Sequence, residues 1–363
     1  MAYSLITTLT VLLALLTFVP LLRIRHWLVR GQDFPRLQYA VLALTLLAAQ
    51  WWLFDWSEPR SWWPAALATA CLLYQASWIQ PYTRLHPAEA RTVSAGDGSA
   101  CLRIMSVNVL MTNRNADGLL RIIRDADPDF IITLETDHWW QSKLDALAMD
   151  YPHTVKCPLE NLYGMHVYSR YPLHDPAIQY LVEPDIPSIH ASVELPDGRR
   201  IKMHCLHPKP PSPTENPGSG ERDAELIAVA GSVAESESDA PVVVAGDLND
   251  VAWSSTTRLF RKISGLLDPR VGRGMFNTFH TGFPFLRWPL DHLFHSNHFG
   301  VVGLRRLPGF GSDHFPILVE LALVEALERQ QEGLEPDQED EARAAETVEA
   351  EDVRPEDVHS PKG

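Results

Sequence analysis

No charged residue stands between Met1 and Leu22, and Tyr3–Leu22 alone is long enough to cross roughly 30 Å of hydrocarbon as a helix. The run closes on Arg23, Arg25 and His26, and no Lys or Arg precedes it. A secretory leader would carry a basic stretch ahead of its apolar core and a small-residue cleavage site behind it, so a retained span is the expectation. Leu37–Phe54 and Trp62–Gln80 repeat the pattern, with Trp51, Trp52, Trp56, Trp62, Trp63 and Trp78 near their ends, where indole rings favour a membrane interface. Three transmembrane helices, at about 3–22, 37–54 and 62–80, are therefore expected within a membrane region 1–85. Core helices of a soluble domain are the competing reading of the same runs.

The loops between these runs differ in charge. The first carries Arg23, Arg25, Arg30 and Arg36, while the second carries only Arg60 beside Asp55 and Glu58. Basic loops stay cytoplasmic, and three spans return the chain after Gln80 to the side of the first loop. The expectation is an integral membrane protein, on the pattern of the bacterial inner membrane, with its spans against membrane lipids and its large domain in the cytoplasm.

Residues 1–94 hold seven Lys/Arg and four Asp/Glu, and residues 325–363 hold four and fourteen, which leaves the middle segment at −8 of the total −15. A domain gripping nucleic acid chiefly through its phosphates would show a basic surplus, and this one does not. Cys71, Cys101, Cys157 and Cys205 have no CxxC spacing, so neither a zinc cluster nor a disulfide framework is indicated.

Pro, Gly, Ser and Asp in 86–100 read as a linker. From Cys101 short apolar runs alternate with helical or turn segments, such as Asp117–Asp127 with Leu119, Leu120, Ile122 and Ile123 at helical spacing. A mixed α/β domain over 101–324 follows, large enough for a layered core. Pro208–Gly220 reads as a loop and Glu221–Ala234 as a helix. The Glu-rich, aromatic-free tail 325–363 is expected to be disordered, since it offers little apolar surface to bury.

Several strand-like runs end in polar residues: Ile104 to Asn108, Ile131 to Glu135, Val242 to Asp247 and Asn249, Pro289 to Asp291 and His292, and Gly311 to Asp313 and His314. Strand ends gather at one sheet edge, so carboxylates distant in sequence can converge on one hard cation that prefers oxygen ligands, a role suited to Glu135, Asp247 and Asp313. Phosphate-ester cleavage also needs a group to position or deprotonate water and a hydrogen-bonding group facing the phosphate. Asp247, Asn249 and His314 offer these, and Asp291 could fix the tautomer of His314 by accepting its second ring proton.

These stretches resemble the endonuclease/exonuclease/phosphatase superfamily over about Leu102–Leu321. Gly246-Asp247-Leu248-Asn249 and Ser312-Asp313-His314-Phe315-Pro316 carry the resemblance most specifically, and Asn108, Glu135 and Asp291-His292 appear in the family's order. It implies a four-layered α/β sandwich with two central β-sheets. It also implies Asn108 and Glu135 at the metal, Asp247 and Asn249 aligning water and phosphate, Asp313 assisting metal or phosphate binding, and His314 paired with Asp291. Mg²⁺ is the implied ion, with Mn²⁺ as a substitute. The family's further substrate-binding His falls on His204 or His207, and His207 is preferred because it stands at the strand end before Pro208. Leu206 replaces the family's usual Thr there. His166 sits where the family is usually apolar and reads as an edge or surface residue.

The expected function is a membrane-anchored, divalent-metal-dependent phosphoesterase acting on a phosphodiester or phosphomonoester by metal-assisted water attack. Nucleic acid, a phospholipid or a soluble phosphate ester could be the substrate, so an endonuclease and a phospholipid or sphingomyelin phosphodiesterase both stand open. A non-catalytic membrane scaffold that keeps the fold is the reading from another class. Lys209, Arg258, Arg261, Lys262, Arg270, Arg273, Arg287, Arg305 and Arg306 could contribute to a local basic groove. Ser254 to Thr256 read as a helix cap, His292, His295 and His298 as structural or solvent-facing, and Trp253 and Trp288 as either stacking platforms or packing residues.

Overall fold

Along Cys101–Asn108, every residue from Ile104 onward is buried, so this strand needs cover on both faces. The computed structural model, which describes residues 1–94, 100–236 and 240–362, supplies that cover with two stacked sheets and helices outside each. One sheet is built from β1 (Cys101–Asn108), β2 (Phe130–Leu134), β3 (His153–Cys157), β4 (Met165–Ser169), β10 (Phe299–Arg306) and β11 (Ile317–Leu323). Their order is β10-β11-β1-β2-β4-β3. The other runs β5 (Leu173–Gln179), β6 (Ser188–Glu194), β7 (Arg200–Leu206), β8 (Val242–Asp247) and β9 (Asp291–His295) in sequence order.

Alternate residues of the two sheets meet in one apolar layer, where Ile104 and Ile132 face Met203, Cys205 and Ala245. Outside the first sheet, α5 (Ala116–Ala126) and α6 (His138–Leu144) bring Leu119, Ile123 and Trp140 onto Met105 and Val107. Outside the second, α7 (Gly220–Glu235) and α8 (Ser255–Ser264) bring Leu226, Leu259 and Phe260 onto Val242, Val244 and Phe294. The layers are helix, sheet, sheet, helix.

Both sheets are mixed, and their parallel pairs position the site. β1 runs parallel to β2 with Asn108 opposite Leu134, and β7 runs parallel to β8 with Leu206 opposite Gly246. Antiparallel β9 begins where β8 ends, Asp291 opposite Asp247, and β11 begins beside the end of β1, Ile317 opposite Ser106. Four strand ends and two strand starts thus share one rim.

Upstream lie α1 (Ala2–Phe18), α2 (Trp27–Arg30), α3 (Arg36–Leu53) and α4 (Trp62–Ile79), with α1, α3 and α4 packed through Leu13, Ala43, Leu46 and Cys71. Inside this bundle Gln50 donates to Thr10 Oγ1 at 2.9 Å and Gln75 to Thr17 Oγ1 at 3.2 Å. The expectation of three spans is corrected by composition. Among the described helices, only Ala2–Leu22, of mean hydropathy 2.4, is long and apolar enough to cross a membrane by itself. Arg36, Gln38 and Gln50 dilute α3, and Pro64 and Gln75 dilute α4.

The bundle docks on the sandwich. Trp253 Nε1 donates to the Asp33 carbonyl at 2.9 Å, Tyr82 Oη to that of Ala252 at 2.5 Å, and Arg30 meets Asp223 at 3.4 Å. The expected linker is partly built into the fold: Val93 and Arg91 bond the backbone of Val301, and Glu89 pairs with Arg261, while residues 95–99 lie outside the described residues. The acidic tail is also not the disordered segment its composition suggested. Asp337 caps α9 (Gln338–Glu349), and Ala344, Val353 and Val358 join the apolar layer over α7. Three apolar residues on one side of the segment suffice once a preformed helix receives them.

Candidate active site

Asn108 ends β1, and its side-chain amide joins the two sheets, donating to Glu135 Oε1 at 2.7 Å and to Asp247 Oδ2 at 3.3 Å. Glu135 follows β2 with a left-handed backbone, φ 59°, and accepts a second bond from the Met111 amide at 3.2 Å. Burial pushes its carboxyl up to about 7, the Asn108 bond opposing and the charge of Asp313 reinforcing the rise. A β-carbon at Gly246, φ 145°, would lie 1.9 Å from the Leu206 carbonyl, so only glycine lets β8 run this close to β7 before Asp247.

Asp247 Oδ1 accepts from the Asn249 amide at 3.0 Å, closing a tight turn in which Asn249 has φ 51°, a conformation Asn tolerates. Asn249 Nδ2 donates to the Pro208 carbonyl at 3.0 Å, and the buried guanidinium of Arg222 donates to the Asn249 carbonyl at 2.7 Å. His207, just before Pro208, is buried, which pushes its imidazole down to about 4 and keeps it neutral. Its Nδ1 has no protein partner among the described residues. The Tyr163 ring sits 5.1 Å away by centroid and is tethered by a hydrogen bond from its hydroxyl to Glu215.

His314 is held from three sides. Its amide donates to Ser312 Oγ at 3.0 Å, Nδ1 lies 2.8 Å from Asp291 Oδ2, and Nε2 lies 3.5 Å from Asp247 Oδ2. Burial alone would lower this imidazole, but Asp291 and Asp247 outweigh it and lift it to about 10, so both ring nitrogens carry protons at neutral pH. Burial likewise raises the Asp247 carboxyl against the charge of His314. Ser312 Oγ also donates to the Asn108 carbonyl at 2.8 Å, tying the His314 turn to the end of β1.

Asn108, Glu135, His207, Asp247, Asn249, Asp313 and His314 all line one cavity of about 320 Å³, with Asp291 directly behind His314. Ligand-type atoms of Asp247, Asp291 and His314 lie within 4.8 Å of one another. Both nitrogens of His314 are turned to these carboxyls, so the trio is a hydrogen-bonded relay rather than an open coordination site. The residues that suit a hard divalent cation are Glu135, Asp313 and the Asn108 amide, oxygen donors that line the cavity, the charge of Asp313 raising the Glu135 carboxyl.

Other sequence candidates lie elsewhere. His204 bonds His190 at 2.8 Å on the opposite face of its strand. His166, expected at an edge or surface, is buried in β4 with Nδ1 2.9 Å from the Met165 carbonyl and does not line the cavity. His292 is fixed between Arg270 and the Asp250 carbonyl, Ser254 caps α8, and Trp253 is buried under α3 and α4. Of the residues expected in a basic groove, Lys209 pairs with Glu183, Arg261 with Glu89, Arg270 with Asp268, and Lys262 with Asp337 and Asp340, while Arg273, Arg287 and Arg306 donate to backbone carbonyls. Sequence reading missed Phe34, Tyr163, Glu215 and Phe279, which complete the cavity wall, and Arg222, which braces Asn249. Phe34 comes from the helical region, where no local motif marks it.

Residues 105–314 match the model of the endonuclease/exonuclease/phosphatase family. Among solved structures, the chain is similar to D. rerio TDP2 complexed with single strand DNA product (17% identity, TM-score 0.51, 61% of this chain and 98% of that one). It is similar to the human Nocturnin catalytic domain with bound sulfate anion (17%, 0.50, 62% and 95%). It is similar also to an endonuclease/exonuclease/phosphatase family protein from Bacteroides thetaiotaomicron (18%, 0.50, 62% and 99%). These likenesses concern the fold. No curated protein matches by sequence. Members of the family are hydrolases of phosphate esters that use divalent metal ions, and the match spans more than half the chain, which therefore belongs to the endonuclease/exonuclease/phosphatase family.

Proposed function

We propose that the chain is a membrane-anchored phosphoesterase that hydrolyses a phosphodiester or phosphomonoester by direct attack of water. The observation that supports this reading is the convergence, on one cavity, of seven polar residues drawn from segments as far apart as Asn108 and His314. Asp247 orients the water and accepts its proton, and the turn at Asn249 fixes the approach. The imidazolium of His314, held by Asp291, donates to a phosphoryl oxygen where charge builds up, and the neutral His207 and the Asn249 amide border the phosphate. Glu135, Asp313 and Asn108 would hold Mg²⁺, with Mn²⁺ as a substitute; the bound cation supplies Lewis acidity to the phosphoryl group.

The anchor is the Ala2–Leu22 helix, with α3 and α4 packed beside it. Its support is the mean hydropathy of that helix, 2.4, and the exposed Leu5, Leu12 and Leu15 on it, apolar side chains that water would disfavour. Arg30, Asp33 and Tyr82 touch the sandwich, whereas Tyr3 meets Arg60 at the far end. A single crossing by Ala2–Leu22 with the sandwich beside the Arg-rich loop that follows it accounts for both, and the charge rule makes that side cytoplasmic.

The test is the purified full chain with Mg²⁺ or Mn²⁺ on plasmid DNA, sphingomyelin vesicles and bis-p-nitrophenyl phosphate, beside His314→Ala. The reading expects hydrolysis of at least one of them and a loss of about 100-fold or more in the variant. Turnover of none, or an unchanged variant, overturns it.

A further inference from the structure

Next to the catalytic cavity, α3 and the segment 276–288 enclose a second cavity of about 470 Å³. Leu37, Val41 and Leu42 form one wall, and Pro284 and Phe285 the other. Three observations bear on its occupant. Val41 and Leu42 are 57% and 41% exposed on α3, which packs beside the candidate span α1, so the groove opens onto an outward apolar surface next to that helix. Phe283, Phe285 and Leu286, at 57%, 87% and 47% exposure, crown the facing loop with large apolar side chains left exposed among the described residues. Leu37, Phe34, Phe279 and Trp288 all pack on one apolar cluster; the Phe34 and Phe279 rings lie 5.7 and 6.3 Å from that of Trp288, and the Phe279 ring lies 4.9 Å from His314 by centroid. One aromatic wall therefore separates the groove from the phosphate site.

We propose that this groove holds the hydrocarbon chain of an amphiphilic phosphate ester that enters from the membrane and lays its phosphate over the Phe34–Phe279–Trp288 wall into the catalytic cavity. The proposal rests on the phosphoesterase reading and names its substrate class. The acidic balance of the middle segment favours such a substrate over nucleic acid. Arg287 stiffens the facing loop by donating to the carbonyls of His280 and Thr281, at 3.2 and 2.8 Å.

The test uses the full chain in amphipol hydrolysing bis-p-nitrophenyl phosphate, with ethyl, hexyl and decyl phosphate as inhibitors and decyl maltoside as a neutral amphiphile of equal chain length. Each methylene withdrawn from water strengthens binding roughly fourfold, so inhibition is expected to tighten about 100-fold or more from ethyl to decyl phosphate. Val41→Trp, which fills the groove, and Phe285→Ser, an exposed position unable to unfold the domain, are each expected to flatten the series to less than about tenfold. A flat series in the unaltered chain, equal inhibition by decyl maltoside, or an unchanged series in both variants overturns the groove while leaving the phosphoesterase reading in place. Absence of hydrolysis in the unaltered chain overturns that reading and the groove with it.

Discussion

His314 Nδ1 lies 2.8 Å from Asp291 Oδ2, and the opposite nitrogen of the same ring faces Asp247 at 3.5 Å. The ring is thus a bridge between two adjacent strands of one sheet, and its charge is set by both. If Asp291 acts only by holding His314, then Asp291→Ala and His314→Ala each lower kcat by roughly 10²–10⁴, and the double variant is no slower than the worse single one. Steady-state kinetics on bis-p-nitrophenyl phosphate reads this directly; additive losses contradict the pairing.

Glu135 offers its carboxylate to the cation region, whereas Asp247 is engaged with His314 and the Asn249 turn. Glu135→Gln is expected to raise the Mg²⁺ concentration for half-maximal activity by about tenfold or more, since even outer-shell changes at metal sites cost roughly 10–100-fold in affinity. Calorimetric titration with Mn²⁺ gives the same comparison without turnover. Equal affinity in both proteins would remove Glu135 from the metal.

Gly246→Ala places a β-carbon 1.9 Å from the Leu206 carbonyl, which must push β7 and β8 apart and displace His207 and Asp247 together. Loss of activity with a lowered Tm is expected. Gly265→Ala, with φ 67° and no atom within 4 Å of the new carbon, should cost only about 1–2 kcal/mol and leave activity intact. Thermal melts of the two variants side by side make the comparison; a Gly246→Ala protein with ordinary turnover would show that the close approach is dispensable.

Glu225 is buried on α7 with Oε1 unpartnered among the described residues, and burial, then the charge of Glu183, push its carboxyl up to about 8 from an ordinary 4.5. The folded chain therefore keeps a proton that the unfolded chain releases between these values, so its contribution to stability falls as pH rises from about 4.5 to 8 and is level below that window. Glu225→Gln is expected to match the parent near pH 4 and to exceed its Tm by a few degrees at pH 9. An equal Tm at both pH values would show that the carboxyl is solvated or otherwise compensated.

The rim of the candidate site was legible because its turns carry their own chemistry. Gly246 permits the close strand approach, Asn249 tolerates a left-handed backbone, and Ser312 bonds both the His314 amide and the end of β1, so each motif announces a geometry as well as a residue. Asn108 and Glu135 were readable only through their order, since a single polar residue at a strand end is commonplace. The wall formed by Phe34, Phe279 and Trp288 was not readable, because it depends on how the helical bundle docks against the sandwich. The tail misled for a related reason: composition registers its charge, while Ala344, Val353 and Val358 matter only against the ready surface of α7. The second and third apolar runs looked like the first until the buried Gln50 and Gln75 contacts with Thr10 and Thr17 showed a bundle with a polar thread.

The central claim is that the cavity bounded by Asp247 and His314 performs metal-dependent hydrolysis of a phosphate ester. The most direct measurement is the initial rate of bis-p-nitrophenyl phosphate hydrolysis by the full chain in Mg²⁺ and after chelation, beside Asp247→Ala. The account predicts turnover in Mg²⁺ that chelation abolishes and that the variant lowers by roughly 10² or more; turnover indifferent to chelation, or equal in the variant, would contradict it.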